Sequence, residues 1–90
     1  MALLDLLGRR WALRVLWELR EGSAGFRALQ DRCDSMSASV LNQRLTELRE
    51  AGIVELDPDG RYRLTREGQA LGASLLRLDK WAKRWARRAT

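Results

Sequence analysis

Asp34-Ser35-Met36-Ser37-Ala38-Ser39-Val40-Leu41-Asn42-Gln43-Arg44-Leu45-Thr46-Glu47-Leu48 is the stretch that decides the fold. Asp34 and Ser35 make a turn. Ser37 has the side chain of an N-cap, and its hydroxyl can take a free backbone N–H of the first turn. Leu41, Leu45 and Leu48 then recur at helical spacing, so the helix they begin runs to Ala51 and stops at Gly52. Upstream, Phe26, Leu29 and Cys33 stand at i, i+3 and i+7 and mark a short helix over about 25–33. Two helices joined by this tight a turn form a helix-turn-helix unit.

Beyond Gly52 the period changes. Ile53-Val54-Glu55-Leu56 is consistent with a period of two, and Arg61-Tyr62-Arg63-Leu64 alternates cleanly. Between them Asp57-Pro58-Asp59-Gly60 is a strong turn signal, so the pair is a β-hairpin. Thr65, helped by Glu67, can cap a final long helix, with Leu71, Leu75, Leu78, Ala82 and Trp85 on one side. Toward the N-terminus, Ala12, Leu13, Val15, Leu16 and Trp17 recur at helical spacing over Arg9 to Glu21, and Gly22 is placed as a C-cap. Leu3, Leu4, Leu6 and Leu7 suggest a further short helix ending at Gly8. The expected fold is mainly α with a small β-hairpin. It is a winged helix-turn-helix with helical dimerisation elements at both termini: the helix-turn-helix over about 25–51, the wing over about 53–64 and the last helix over about 65–88.

Ninety residues make one small domain. No apolar run of about 18 residues is present, so no membrane span is expected. Asp5 interrupts the apolar stretch a signal peptide would need, and a cytoplasmic protein is expected. The chain has one cysteine and no histidine. That leaves neither a disulfide nor a cysteine-rich zinc site, and removes the commonest general base. No enzyme, metal or cofactor is expected. The net charge of +5 is unevenly placed. Through Leu76 eleven arginines face eleven acids. From Arg77 onward six cations stand against Asp79 alone.

The second helix of a helix-turn-helix enters the major groove with residues near its N-terminus. With Leu41 at the centre of the buried side, a turn of 100° per residue sends Ser39, Asn42, Gln43, Thr46 and Glu50 to the opposite side. Ala38, Ser39, Asn42 and Gln43 are the candidates for base contact. Asn and Gln carry the donor–acceptor pair that matches an adenine edge, and the Ala38 methyl can meet a thymine methyl. The same residues also suit a solvated face. Candidates for the DNA backbone are Arg9, Arg10, Arg27, Ser37, Arg44, Arg61 and Arg63. Arg44 lies on the helix edge, where a phosphate, Glu47 or Glu18 are equal choices. Arg61 either grips DNA or pairs with Asp57 or Asp59.

Cys33, Trp11 and Trp17 read as core residues. Leu3, Leu4, Leu7, Leu75, Leu76, Leu78, Trp81 and Trp85, with Leu6, exceed what one small core absorbs. They are candidates for a homodimer interface. The basic side of the last helix, around Arg77, Lys80, Lys83, Arg84 and Arg87, reads as a solvated face, a flanking-DNA contact or a membrane-surface helix.

Several segments resemble the HxlR-type regulators, a winged-helix family of bacterial transcription factors. They are Gly8-Arg9-Arg10-Trp11, Phe26-Arg27-Ala28-Leu29, Met36-Ser37 through Arg44-Leu45, Ala51-Gly52-Ile53-Val54, Tyr62-Arg63-Leu64-Thr65-Arg66-Glu67-Gly68 and Trp81. Together they span nearly the whole chain, in order and at matching spacing; MarR and ArsR types are near relatives. The resemblance implies a homodimeric regulator that binds double-stranded DNA at a pseudo-palindromic operator, with its terminal helices at the dimer interface. Three features depart from the family: Arg10 stands where the family has Lys, the wing is short, and the N-terminal cysteine of redox-sensing members is absent. The sequence names no effector. A winged-helix protein-interaction module that does not touch DNA is the alternative, favoured by the neutral charge of residues 1–76.

Overall fold

A computed structural model describes residues 2–89. Seven elements follow one another: α1 (Ala2–Leu7), α2 (Ala12–Glu18), α3 (Phe26–Arg32), α4 (Ala38–Glu50), β1 (Val54–Leu56), β2 (Tyr62–Leu64) and α5 (Arg66–Ala89). The order and the element types are those expected from the sequence.

The ends of α4 form as their residues require. The Ser37 hydroxyl accepts the Val40 N–H at 3.2 Å. At the other end Gly52 adopts φ 76°. The Ile53 N–H then bonds the Leu48 carbonyl, and the Gly52 N–H the Arg49 carbonyl, both at 3.0 Å. This paired closure consumes two orphan carbonyls and reverses the chain into β1. In the hairpin Val54 pairs with Leu64, Glu55 with Arg63 and Leu56 with Tyr62. One carboxylate oxygen of Asp57 accepts the N–H groups of Asp59 and Arg61, each at 2.9 Å. That bond pattern is why an aspartate opens this tip.

The core is built from Val15, Leu16 and Leu19 of the α2 region, Leu29 and Cys33 around α3, Leu41, Leu45 and Leu48 of α4, and Val54 and Leu64 of the hairpin. Leu6, Leu7, Trp11, Phe26, Leu71 and Leu75 pack on it half-buried. Two non-glycine residues between α3 and α4, Asp34 (φ 59°) and Ser35 (φ 54°), take left-handed backbone. Each costs about 1 kcal/mol. The turn is held by the Ser35 N–H on the Gln30 carbonyl and by Gln30 Nε2 on the Met36 carbonyl, each 2.9 Å. From α2, Arg14 Nη2 donates to the Arg32 carbonyl at 2.7 Å.

Three expectations need correction. The second helix does not span Arg9 to Glu21. Trp11 stands at its N-cap with φ 76°, so Gly8 through Trp11 form a turn. At its other end the chain tightens, with the Leu19 N–H on the Leu16 carbonyl and the Arg20 N–H on the Trp17 carbonyl, both 3.2 Å. Gly22 lies beyond that turn, with its N–H on the Leu19 carbonyl at 3.3 Å, and Leu19, not Gly22, closes α2. The buried stripe of α2 is therefore Ala12, Val15, Leu16 and Leu19, and Leu13 is exposed. Trp17 is half-buried outside the core, with the Arg20 guanidinium 3.8 Å above its ring. One pairing was not foreseen. Ala24 exchanges two backbone hydrogen bonds with Tyr62, at 2.8 and 2.9 Å, and lines the other edge of β2 as a single-residue bridge.

The last helix starts at Thr65. Its hydroxyl accepts the Gly68 N–H at 3.0 Å and donates to the Gly52 carbonyl at 2.6 Å. One side chain thus ties together the end of α4, the wing and α5. The molecule measures 44 × 26 × 25 Å, elongated because the 24-residue α5 outruns the body.

Candidate nucleic-acid interface

The N-terminal half of α4 presents Ser37, Ala38, Ser39, Asn42 and Gln43 to solvent. Leu41, Leu45 and Leu48 are fully buried beneath them and fix the helix's rotation about its axis. Among the described residues the side chains of Ser39, Asn42 and Gln43 make no hydrogen bond inside the protein. Thr46, one turn on, donates its hydroxyl to the Asn42 carbonyl at 2.9 Å. The outward face is thus a short ridge of uncommitted donors and acceptors on a rigid support.

The arginines around this ridge fall into two sets. In one, Arg44 is 13% exposed at its side chain, with Nε on the Arg10 carbonyl at 2.8 Å and Nη1 on Glu47 Oε1 at 2.6 Å. The other Glu47 oxygen takes Arg9 Nε at 2.9 Å. Glu47 therefore joins two arginines and fastens the α1–α2 turn to α4. Arg63 is likewise engaged, by Glu55 across the hairpin at 2.7 Å. A phosphate reaching Arg9, Arg44 or Arg63 has a carboxylate to displace.

In the second set Arg27 and Arg61 are exposed and form no ion pair among the described residues. Arg61 sits beside the tip, yet neither Asp57 nor Asp59 takes its guanidinium. Arg10 is exposed too, its guanidinium 5.8 Å from the centroid of the Trp11 ring. Arg49, exposed near the end of α4, was not singled out in the sequence. It lines a groove between α4 and the wing with Thr46, Glu50 and Glu55. Its only sequence signal was a cation in the last helical turn.

The expected interface leucines and tryptophans divide. Leu3, Leu4, Leu78, Trp81 and Trp85 are exposed, the two tryptophan rings stacked at 6.2 Å and 11°. Leu7 and Leu75 pack against the core. Leu76 turns aside into a cleft it shares with Leu19, Arg63 and Gln69. Cys33 is buried, and burial pushes its thiol pKa up. Among the described residues no helix is long and apolar enough to cross a membrane.

A helix-turn-helix with an exposed polar N-terminal ridge on its second helix, followed by a hairpin, defines the class of winged-helix DNA-binding regulators. Within that class the chain belongs to the HxlR-like helix-turn-helix family, whose model matches residues 6–90. It is 34% identical over 87 residues to the HTH-type transcriptional regulator YvaP of Bacillus subtilis, covering 90% of this chain and 81% of YvaP. The quinone-bound structure of YodB from Bacillus subtilis superposes with a TM-score of 0.84 at 31% identity, over 92% of this chain and 93% of that one. A MarR-family transcriptional regulator from Enterococcus faecalis V583 gives 0.85 at 28%, over 96% and 84%. The protein is a DNA-binding transcriptional regulator and not an enzyme.

Proposed function

We propose that the protein acts as a homodimer on a pseudo-palindromic operator, each subunit laying α4 into one of two major-groove half-sites about one helical turn apart. The observation that carries this reading is the ridge of Ser39, Asn42 and Gln43, exposed and without internal partners. Ala38 beside them contributes a methyl group. Arg10, Arg27, Arg61 and the Ser37 hydroxyl supply phosphate contacts. Arg9, Arg44 and Arg63 join them only where a phosphate outcompetes Glu47 or Glu55.

The dimer rests on surface arithmetic. A folded monomer of this mass exposes roughly 5,400 Å². This chain exposes 6,263 Å². The surplus, roughly 900 Å², is what one partner contributes to an interface of standard size. Its apolar part includes Leu3 and Leu4 on α1 and Leu78, Trp81 and Trp85 on α5.

Selection of bound fragments from random double-stranded DNA tests the proposal. The expected result is a motif with two inverted half-sites about 10 base pairs apart between centres. A single unrepeated site would remove the dimer. Recovery of no enriched sequence would remove base reading and favour the protein-interaction alternative.

A further inference from the structure

Through Leu76 the eleven arginines and eleven acids cancel. The fold strengthens that cancellation, because Arg9, Arg14, Arg20, Arg44 and Arg63 all sit in ion pairs with acids of the same body. A body without net charge draws a polyanion weakly over distance, since beyond about 8 Å at physiological salt single exposed charges are screened. The distal half of α5 is different. There Lys83 pairs with Asp79 at 3.1 Å. Among the described residues Arg77 donates only to the neutral Ser74 hydroxyl, at 3.1 Å. Lys80, Arg84 and Arg88 are exposed as well.

These cations have a defined place on the helix. Taking Leu71 as the centre of the apolar stripe, Leu75, Leu78, Ala82 and Trp85 lie within about 40° of it. Arg77, Lys80, Arg84 and Arg88 lie between about 100° and 180° away. Trp81 lies about 80° from Leu71 on the Arg88 side, and with Trp85 it lines a hollow shared with Arg84 and Arg88. Contact between two copies through the stripe and these tryptophans therefore leaves Arg77 and Lys80 open and brings Arg84 and Arg88 to its rim. Successive cations along it are about 4.5–6 Å apart, against a duplex that carries one charge per roughly 1.7 Å of its axis.

We propose that this side of α5 is a second DNA-binding surface, one that holds duplex phosphates without reading sequence. It rests on the regulator being a DNA binder, and it assigns a further share of the sequence-independent binding to a helix outside the helix-turn-helix. Charge complementarity favours DNA over a lipid surface. An amphipathic helix enters a bilayer by its apolar edge, and that edge is the one the second copy covers.

The test uses the full chain carrying Arg77→Gln, Lys80→Gln, Arg84→Gln and Arg88→Gln together, with the apolar stripe intact. Binding to a fixed duplex lacking the selected motif is titrated across a salt series. The variant is expected to bind at least tenfold more weakly at low salt, with its log–log salt slope reduced by up to about 3.6 units for each subunit that engages the duplex. Its preference for the selected motif over that duplex should persist. A companion with Arg77→Lys, Arg84→Lys and Arg88→Lys should keep the parental slope, because phosphates count charge. An unchanged slope in the glutamine variant overturns the proposal. So does loss of sedimentation with phosphatidylglycerol vesicles alongside unaltered DNA binding, which would make the helix a lipid contact. Absence of any selected motif would strike the operator reading and leave the slope measurement standing.

Discussion

Gln43 projects from α4 with nothing inside the protein to satisfy its amide, and that freedom defines what its loss should do. Gln43→Ala leaves the fold unstrained and removes the amide proposed to read a base edge. Affinity for selected sites should fall by about 1–3 kcal/mol, with mixed-sequence DNA almost unaffected. Competition titrations check this, and an equal fall on both would deny the residue a reading role. Glu47 acts differently, since it touches Arg9 and Arg44 and holds, through Arg44, the Arg10 carbonyl. Glu47→Gln should therefore free Arg9 and Arg44 for phosphates and strengthen binding to mixed-sequence DNA, with a steeper salt slope. In an Arg9→Ala background part of that gain should vanish. Unchanged binding and slope would make Glu47 a support of the fold and nothing more. The candidate ridge was legible in the sequence because a 100° rotation places it. The Glu47 junction was half legible: Arg44 and Glu47 are neighbours on one helix, but Arg10 is 34 residues away from Arg44. Cys33 read correctly as core. Its thiol pKa is raised by burial, so the unfolded chain loses that proton first as pH climbs. The thiol's contribution to stability is whole below the ordinary thiol range and fades through and above it. At neutral pH iodoacetamide should label Cys33 only after denaturant unfolds the chain, and fast labelling of the native protein would contradict the buried placement.

At the scale of elements, the junction of wing and last helix decides how α5 leaves the body. A side chain at Gly68 would place its Cβ 2.1 Å from the Ile53 carbonyl oxygen, which already accepts the Thr65 N–H at 3.0 Å. The Ile53 carbonyl is backbone and the next contact, Leu64 Cβ at 3.2 Å, is the root of its side chain, so relief requires α5 to move off the hairpin. Gly68→Ala should cost about 3 kcal/mol, seen as a lower urea midpoint. Gly72, one turn along the same helix, is the control. A Cβ there meets Leu64 Cδ1 at 3.6 Å, an ordinary contact. Gly72→Ala should be neutral or stabilising by up to about 1 kcal/mol through helix propensity. Equal destabilisation of both would mean the close approach at Gly68 is not what fixes α5. Most elements were legible because their punctuation is chemical: Ser37 to open α4, Gly52 to close it, Asp57-Pro58-Asp59-Gly60 to turn the hairpin. The errors have tertiary causes. Ala24 pairs with Tyr62 over a single residue, too short to leave a period of two. The span of α2 was overestimated because Arg9 and Arg10 are good helix formers, yet they are drawn into a turn by contacts to Glu47 and Arg44 on α4. Gly68 offers no local sign of its crowding.

At the scale of the whole molecule, an α5 longer than the body requires leaves Leu78 57% and Trp85 58% exposed. Both lie on the stripe that continues Leu71 and Leu75, which are packed on the core. The continuity matters, because a second copy laid against the outer half of that stripe extends the hydrophobic core and does not found a new one. A surplus of roughly 900 Å² on each subunit is of the size that specific protein interfaces use. Leu78→Glu with Trp85→Glu puts two carboxylates into that seam and touches no residue of α4 or the wing. Sedimentation of the parent should give a dimer and of the variant a monomer, with equal helical circular dichroism. On DNA the variant should still bind an isolated half-site as the parent subunit does. On the full operator it should lose the gain that comes from tethering two recognition helices, a factor of a hundred or more for a linkage of this kind. If the variant stays dimeric, the copies meet elsewhere and the spacing expected of the half-sites loses its basis. If it is monomeric yet binds the full operator as tightly as the parent, a single subunit reads the whole site and α5 serves another purpose.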